Sequence, residues 1–247
     1  MNLLAFDTST DTLSIAVQRG AGDGAQVWQH TGAGGAQASA TLIPAIQSLM
    51  AQAGLQFEQL AAIAFGRGPG SFTGLRTACS VAQGLAFGAG VPVLPVDSLL
   101  AVAEEARGRR DAASGAASKH LRVLAMLDAR MDELYAGYYE YNSELWNQHE
   151  GYSLIRPENL ANGTFLQATP PVAALMAGNV FAPYGPRIAS AGLACIDALP
   201  TAGAMLRLAP ALLAAGHAVA PNEALPTYIR DKVAKTTLER LAEKAAA

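Results

Sequence analysis

The chain has 247 residues, 51% of them hydrophobic, and a formal net charge of −3 at pH 7. This length fits one large domain or two small ones, and the charge gives no general attraction to nucleic acid. No apolar run reaches the roughly 20 residues of a membrane-spanning helix, and the N-terminus lacks the basic residues that open a signal peptide. A cytoplasmic protein is therefore expected, with Cys79 and Cys195 as buried, reduced thiols.

The first half of the chain alternates strands with helices. Apolar runs and period-two patterns predict strands at residues 3–7, 13–17, 26–30, 60–65 and 91–96. Helical spacing predicts helices at residues 41–53, 73–87 and 99–106. This order is typical of a mixed α/β sheet covered by helices.

A change of composition at residues 108–119, GRRDAASGAASK, predicts a linker. It would join an N-terminal lobe of residues 1–107 to a C-terminal lobe of residues 120–247. The basic residues around it favour a solvated linker, with an RNA-facing patch as the alternative; they are Arg107, Arg109, Arg110, Lys119 and Arg122. In the second lobe we expect a helix near Pro157, a strand at 172–176, and a last helix at 202–215 that packs back on the first lobe.

An internal similarity links the two predicted lobes. FDTSTDTLSIAV (6–17) and LDARMDELYAGY (127–138) share an aspartate at the end of an apolar strand, a second aspartate and a leucine. At an offset of 121 residues, Asp7, Asp11 and Leu13 correspond to Asp128, Asp132 and Leu134. Aspartate is common in turns, so chance is one explanation. The other is a duplicated β-hairpin that opens two related lobes.

A glycine-rich loop, GRGPGSFTG (66–74), lies between a predicted strand and a predicted helix. It has no P-loop lysine, and its spacing does not match the dinucleotide-binding fingerprint. Gly68 and Gly70 could expose backbone N–H groups, while Ser71 and Thr73 could cap the helix. The loop is either an anion-binding loop or a tight strand-to-helix turn.

Other patterns of catalysis are missing from the sequence. Its four histidines are far apart, so no HxxxH pair exists, and Ser71 is not in a G-x-S-x-G context. Asp7, followed by Thr8 and Ser9, stands where actin-like phosphotransferases hold a Mg²⁺-phosphate, but these residues are equally ordinary in a hairpin turn. No catalytic residue and no metal ligand is predicted.

The second helix has a wider apolar arc than its own core requires, and the arc is rich in small residues. Either the helix is buried within this chain, or one edge of it meets another molecule. The second interpretation predicts a partner interface on the first two helices, at Leu42, Ile46, Leu75, Ala78, Cys79, Ala82 and Ala86.

Several segments together resemble the TsaB (YeaZ) family. They are LLAFDTSTDTLSIAV, GRGPGSFTGLR, AQGLAFG, LDARMDELYAGYY and PTYIRDKVA, in this order. The resemblance is strong over residues 1–140, weak over about 142–220, and returns at 226–234. It implies an α/β, actin-like (ASKHA, RNase H-like) fold of two related lobes, the second of them reduced.

The resemblance also implies a function. Family members are partners of TsaD, which transfers a threonylcarbamoyl group to the adenosine 3′ of the anticodon in tRNAs that read ANN codons, and TsaE completes the system. This chain would be a catalytically inactive subunit that forms a heterodimer with TsaD and a homodimer when alone. It would contact tRNA only through the complex and would not associate with membranes. No cofactor is required, and ATP or ADP at the partner interface is the one ligand to consider.

Two further points follow from the resemblance. TsaD carries an HxxxH metal pair ahead of its first helix, whereas residues 34–46 here, GGAQASATLIPAI, contain no histidine. The glycine loop becomes a vestigial nucleotide or anion loop that positions a partner-binding helix; its residues would be Asp7, Thr8, Ser9, Gly68, Gly70, Ser71 and Thr73. The alternative function is that of a stand-alone actin-like ATPase or small-molecule kinase.

Overall fold

The computed structural model describes residues 1–162 and 174–230 and contains two five-stranded sheets. The strands of the first sheet are β1 (Leu3–Asp7), β2 (Thr12–Arg19), β3 (Gln26–Ala33), β4 (Ala62–Gly68) and β5 (Val93–Asp97). Those of the second are β6 (His120–Arg130), β7 (Glu133–Asn142), β8 (Leu145–Ile155), β9 (Ala174–Gly178) and β10 (Ala194–Asp197).

The two sheets have the same topology. Their strand orders are β3-β2-β1-β4-β5 and β8-β7-β6-β9-β10. In each sheet the first three strands pair antiparallel, and the fourth and fifth continue parallel. The predicted duplication is therefore confirmed. The pairing differs by one residue: Asp7 lies opposite Ser14, whereas Asp128 lies opposite Leu134, and the second hairpin has a register shift between Asp128 and Arg130.

Five α-helices pack beside the sheets in the part of the chain that the structure describes. They are α1 (Ala38–Ala53), α2 (Phe72–Ala89), α3 (Ser98–Ser114), α4 (Phe181–Tyr184) and α5 (Ala202–Ala214). Alternation along β1 creates two cores: Leu4 and Phe6 pack with α1 and α2, while Leu3 and Ala5 face the opposite way. On that opposite face, α3 and α5 lie in one core shared with the second sheet.

Helix α3 extends into the segment that was predicted to be a linker. It continues to Ser114 and ends at Gly115 in a left-handed conformation, so the connection to β6 is only residues 115–119. Arg107 stabilises the extra turns because it pairs with Glu104 at 2.7 Å and with Asp111 at 2.7 Å. Arg109 likewise pairs with Glu105 at 2.9 Å. The positive charges of Arg107 and Arg109 are thus neutralised by carboxylates of the same helix.

The second half differs from its predictions in detail. Pro157–Asn162 is a 3-10 helix, and of the strand predicted at 172–176 the first two residues lie outside the described ranges. Both cysteines are free; Cys79 is buried, as expected, but Cys195 is exposed because it lies on the edge strand β10. Among the described residues, no helix is long and apolar enough to span a membrane.

Candidate functional site

The turn after β1 and the glycine loop after β4 lie against each other at one edge of the first sheet. β1 and β4 are parallel neighbours, so the residues that follow them are brought side by side. The Ser71 N–H donates to the carbonyl oxygen of Ser9 at 2.7 Å, and the Thr8 hydroxyl donates to the carbonyl oxygen of Gly74 at 2.7 Å. The two motifs therefore form one structural unit.

Close backbone approach requires two of the glycines in this unit. A Cβ atom on Gly74 would stand 1.9 Å from the carbonyl oxygen of Thr8, and one on Gly70 would stand 2.5 Å from that of Ser9. Because both obstacles are backbone atoms, a side chain could be accommodated only by moving the turn. These two glycines are therefore needed for packing within the protein.

Asp7 lies beneath the unit with its carboxylate fully buried. Oδ1 accepts hydrogen bonds from the N–H and the hydroxyl of Ser9, both at 2.7 Å, and Oδ2 accepts one from the Ser98 hydroxyl at 2.9 Å. Burial raises the pKa of Asp7 from 3.8 to about 6, although the bonds from Ser9 and Ser98 act in the opposite direction. The carboxylate thus organises the turn from inside.

The predicted helix cap is absent. Helix α2 begins at Phe72, Ser71 is its N-cap residue, and the Ser71 side chain makes no capping hydrogen bond. Thr73 lies within the first turn, where its carbonyl oxygen accepts from the Thr77 hydroxyl at 3.0 Å. Ser71 therefore occupies the predicted cap position, but the capping hydrogen bond is absent; its backbone N–H instead bonds to Ser9.

A cleft of about 300 Å³ lies between the equivalent hairpin turns of the two lobes. Asp11 lines it from the first lobe, Asp128 and Arg130 line it from the second, and residues 227–230 complete it. Of the loop residues predicted from sequence, Ser9, Gly70 and Ser71 line the cleft, whereas Asp7, Thr8, Gly68 and Thr73 do not.

The two arginines of the cleft are paired with carboxylates. Arg130 forms an ion pair with Asp11 across the cleft and another with Asp128 at 3.3 Å, and Arg230 pairs with Glu133 at 2.5 Å. A phosphate group entering the cleft would have to compete with these carboxylates. Sequence reasoning missed both arginines; the quoted PTYIRDKVA motif was the available signal for Arg230.

The residues predicted to form a partner interface are buried in this chain. Leu42, Ile46, Leu75, Ala78, Cys79, Ala82 and Ala86 are each at most 6% exposed. All of them except Leu75, which lines the cleft, belong to the core between the first sheet and helices α1 and α2. The prediction that these residues lie at the surface was wrong, because the apolar arc that they form faces the sheet.

The small residues that do face solvent lie on the opposite side of α2. Phe87 is 83% exposed, and a Cβ atom on Gly84 would meet nothing within 4 Å. The exposed face of α2 comprises Thr73, Arg76, Ser80, Gly84, Phe87 and Gly88. On α1, which has no charged residue, Ile43 is 41% exposed. Apart from Arg76, this surface of the helix pair, here called the α1/α2 face, carries no charge.

Within residues 1–162 and 174–230, no three His, Cys, Asp or Glu side chains are grouped as metal ligands would be. Two lobes of the same topology, joined through a shared core and facing each other across a cleft, define the actin-like, RNase H-like class of α/β proteins.

Known proteins identify the family within this class. Residues 33–238 match the family model described as TsaD, tRNA N6-adenosine threonylcarbamoyltransferase. The tRNA threonylcarbamoyladenosine biosynthesis protein TsaB of Escherichia coli (strain K12) is 33% identical, over 95% of this chain and 96% of its own. TsaB of Haemophilus influenzae is 34% identical, over 94% and 95%. The solved structure of YeaZ from Pseudomonas aeruginosa has 34% identity and a TM-score of 0.75, covering 92% of this chain and 99% of its own. The chain belongs to the TsaB (YeaZ) family.

Proposed function

We propose that this chain acts in the biosynthesis of tRNA threonylcarbamoyladenosine as a non-catalytic subunit that binds TsaD, with TsaE as a further component. Near full-length similarity to proteins named for that pathway supports the proposal. On this account the chain works in the cytoplasm, meets tRNA only through the complex, and forms a homodimer when TsaD is absent. It requires no cofactor, and ATP or ADP at the interface with TsaD is the ligand to test.

The observation that carries the proposal is the α1/α2 face. A helix pair with almost no charge, an exposed phenylalanine and exposed glycines is suited to close packing against other helices. Because this chain matches the TsaD family model from residue 33 onward, TsaD is expected to present a corresponding helix pair. Two such pairs would form a four-helix contact.

The non-catalytic role is supported by residues 34–46. This segment, which precedes and begins α1, contains no histidine, whereas the resemblance places an HxxxH metal pair at the corresponding position in TsaD. The residues needed for that chemistry would then come from the partner.

The test is a Gly84→Leu variant in a binding assay with purified TsaD. In the free chain the leucine enters open space and favours the helix, so the melting temperature should be unchanged or higher. Against a closely packed partner helix, overpacking of about 1–3 kcal/mol should weaken binding about 5- to 150-fold. Ala113→Leu, on the exposed end of α3, is the matched control and should bind normally.

Two results would count against the proposal. Normal TsaD binding by Gly84→Leu would show that the α1/α2 face is not the interface. Steady ATP hydrolysis or phosphoryl transfer by the isolated chain, unaffected by TsaD, would favour the stand-alone ATPase or kinase.

A further inference from the structure

Residues 224–230, here called the strap, run along the first lobe after α5. The carbonyl oxygen of Ala224 accepts hydrogen bonds from the Cys79 thiol at 3.3 Å and the Gln83 amide at 2.9 Å, both on α2. Farther along, the Thr227 N–H donates to the carbonyl oxygen of Arg67 at 2.7 Å. The strap is thus tied to β4 and α2, which flank the glycine loop.

At the mouth of the cleft the strap also contacts the start of α2. The ring of Tyr228 lies 5.1 Å from that of Phe72, and its hydroxyl accepts a hydrogen bond from Arg76 at 3.1 Å. Ile229 then packs against the core shared by the two sheets. The first lobe therefore holds the strap by backbone and aromatic contacts, and the shared core adds an apolar contact.

The last residue of the strap reaches the second lobe. Arg230 donates to the Glu133 carboxylate at 2.5 Å, to the carbonyl oxygen of Arg130 at 3.2 Å and to the Met131 sulfur at 2.8 Å. Its side chain is only 11% exposed. All three contacts fall on residues 130–133, here called the β6–β7 turn, which consist of the last residue of β6, the two connecting residues and the first residue of β7. This turn is the counterpart of the Asp7–Asp11 turn in the first lobe.

This turn has an unusual backbone. Arg130, Met131 and Asp132 have φ values of 62°, 56° and 65°, so three consecutive residues other than glycine are left-handed. Such a run is unfavourable for L-residues and persists only where surrounding contacts hold it. Arg230 holds it from the strap, and Arg187 holds it from within the second lobe through Asp132, at 2.5 and 2.7 Å.

The same turn carries the cross-cleft ion pair between Arg130 and Asp11. We propose that the strap is a conformational latch: by fixing the strained turn from the first lobe, Arg230 keeps Arg130 in place to bridge the cleft. Release of the strap relaxes the turn, breaks the bridge and opens the cleft. Since the strap is also tied to α2, a change at α2 is transmitted to the second lobe.

The test is native-state hydrogen exchange, read by mass spectrometry on the full chain. In Arg230→Met, amides at residues 130–133 and, across the cleft, at residues 8–11 should exchange about tenfold faster or more. Arg187→Met is the matched control: it removes the bonds to Asp132 but leaves Arg230 bonded to the carbonyl oxygen of Arg130. Arg130 should therefore stay in place, and faster exchange should be confined to residues 130–133. Unchanged exchange at residues 8–11 in folded Arg230→Met, or the same effect there in Arg187→Met, would overturn the proposal.

A second substitution separates strain from simple loss of contacts. Glycine adopts positive φ freely, so Met131→Gly added to Arg230→Met should restore slow exchange at both turns. Exchange as fast as in the single variant would refute the role of strain. If Arg230→Met does not fold, Arg230→Lys takes its place. Lysine keeps the pair with Glu133 but cannot make all three contacts, so amide exchange at both turns should be accelerated to an intermediate degree. Wild-type exchange in Arg230→Lys would likewise contradict the latch.

Discussion

Replacement of the buried carboxylate of Asp7 by an amide should stabilise the protein above neutral pH. Asp7→Asn keeps an oxygen that can accept from Ser9 and gains an N–H₂ group that can donate to the Ser98 hydroxyl. The amide is nearly isosteric, so the tight contact with Gly66 is preserved. The substitution removes the negative charge of the carboxylate, and a buried charge is unfavourable.

The size of the effect follows from the pKa. Burial raises the pKa of Asp7 from 3.8 to about 6, so the folded state binds the proton more tightly than the unfolded state does. This contribution to stability is complete below pH 3.8 and is lost as the pH rises through 6. A difference of about two pKa units, at about 1.4 kcal/mol each, means that the ionised carboxylate costs roughly 3 kcal/mol at pH 8.

Urea denaturation of wild type and Asp7→Asn measures this cost. The free energy of unfolding of the variant should exceed that of wild type by up to about 3 kcal/mol at pH 8, and the excess should shrink by about 2 kcal/mol at pH 4.5. Asp11→Asn, which neutralises an exposed carboxylate of the same turn, should show no comparable gain. The reasoning would be refuted if Asp7→Asn lost stability, or if its advantage did not change with pH.

Two further predictions concern packing and charge. Gly74→Ala places a Cβ atom 1.9 Å from the carbonyl oxygen of Thr8 and should lower the free energy of unfolding by at least about 1–3 kcal/mol. Gly84→Ala in the same helix meets no neighbour and should raise it by about 0.5–1 kcal/mol. Thermal melts of the two variants test this, and equal melting temperatures would contradict the contact. Glu104→Ala removes a buried carboxylate that accepts hydrogen bonds from Arg107, Arg207 and Trp146, and only the pair of Arg107 with Asp111 remains. The loss should cost about 3–5 kcal/mol in urea denaturation, and a loss under 1 kcal/mol would be the contrary result.

The doubled architecture could be predicted from sequence because the same spacing of two aspartates and a leucine occurs in both lobes. Asp7 ends β1 and Asp128 lies two residues before the end of β6, so one short repeat located both hairpins. Element ends were harder to predict. Residues 108–114 have the composition of a linker, and only the contacts of Arg107 with Glu104 and Asp111 show why the helix continues.

The partner surface could be predicted only in part. Sequence identified α2 as the helix with surplus small residues, but alanine, glycine, serine and threonine differ too little in hydropathy to show which side faces the sheet. As a result Ala78 and Ala82 were placed at the surface, although they are buried, and Gly84 was overlooked. The PTYIRDKVA motif marked the position of the strap, but its role could not be predicted, because its contacts with Met131 and Glu133 join residues about 100 positions apart.

Reconstituted tRNA modification tests the central claim most directly. TsaD, TsaE, substrate tRNA and the threonylcarbamoyl donor are combined with and without this chain, and the chain is also assayed without TsaD. The account predicts modified adenosine only when TsaD and this chain are both present, and none from this chain alone. Modification by this chain without TsaD, or equal modification by TsaD without this chain, would contradict it.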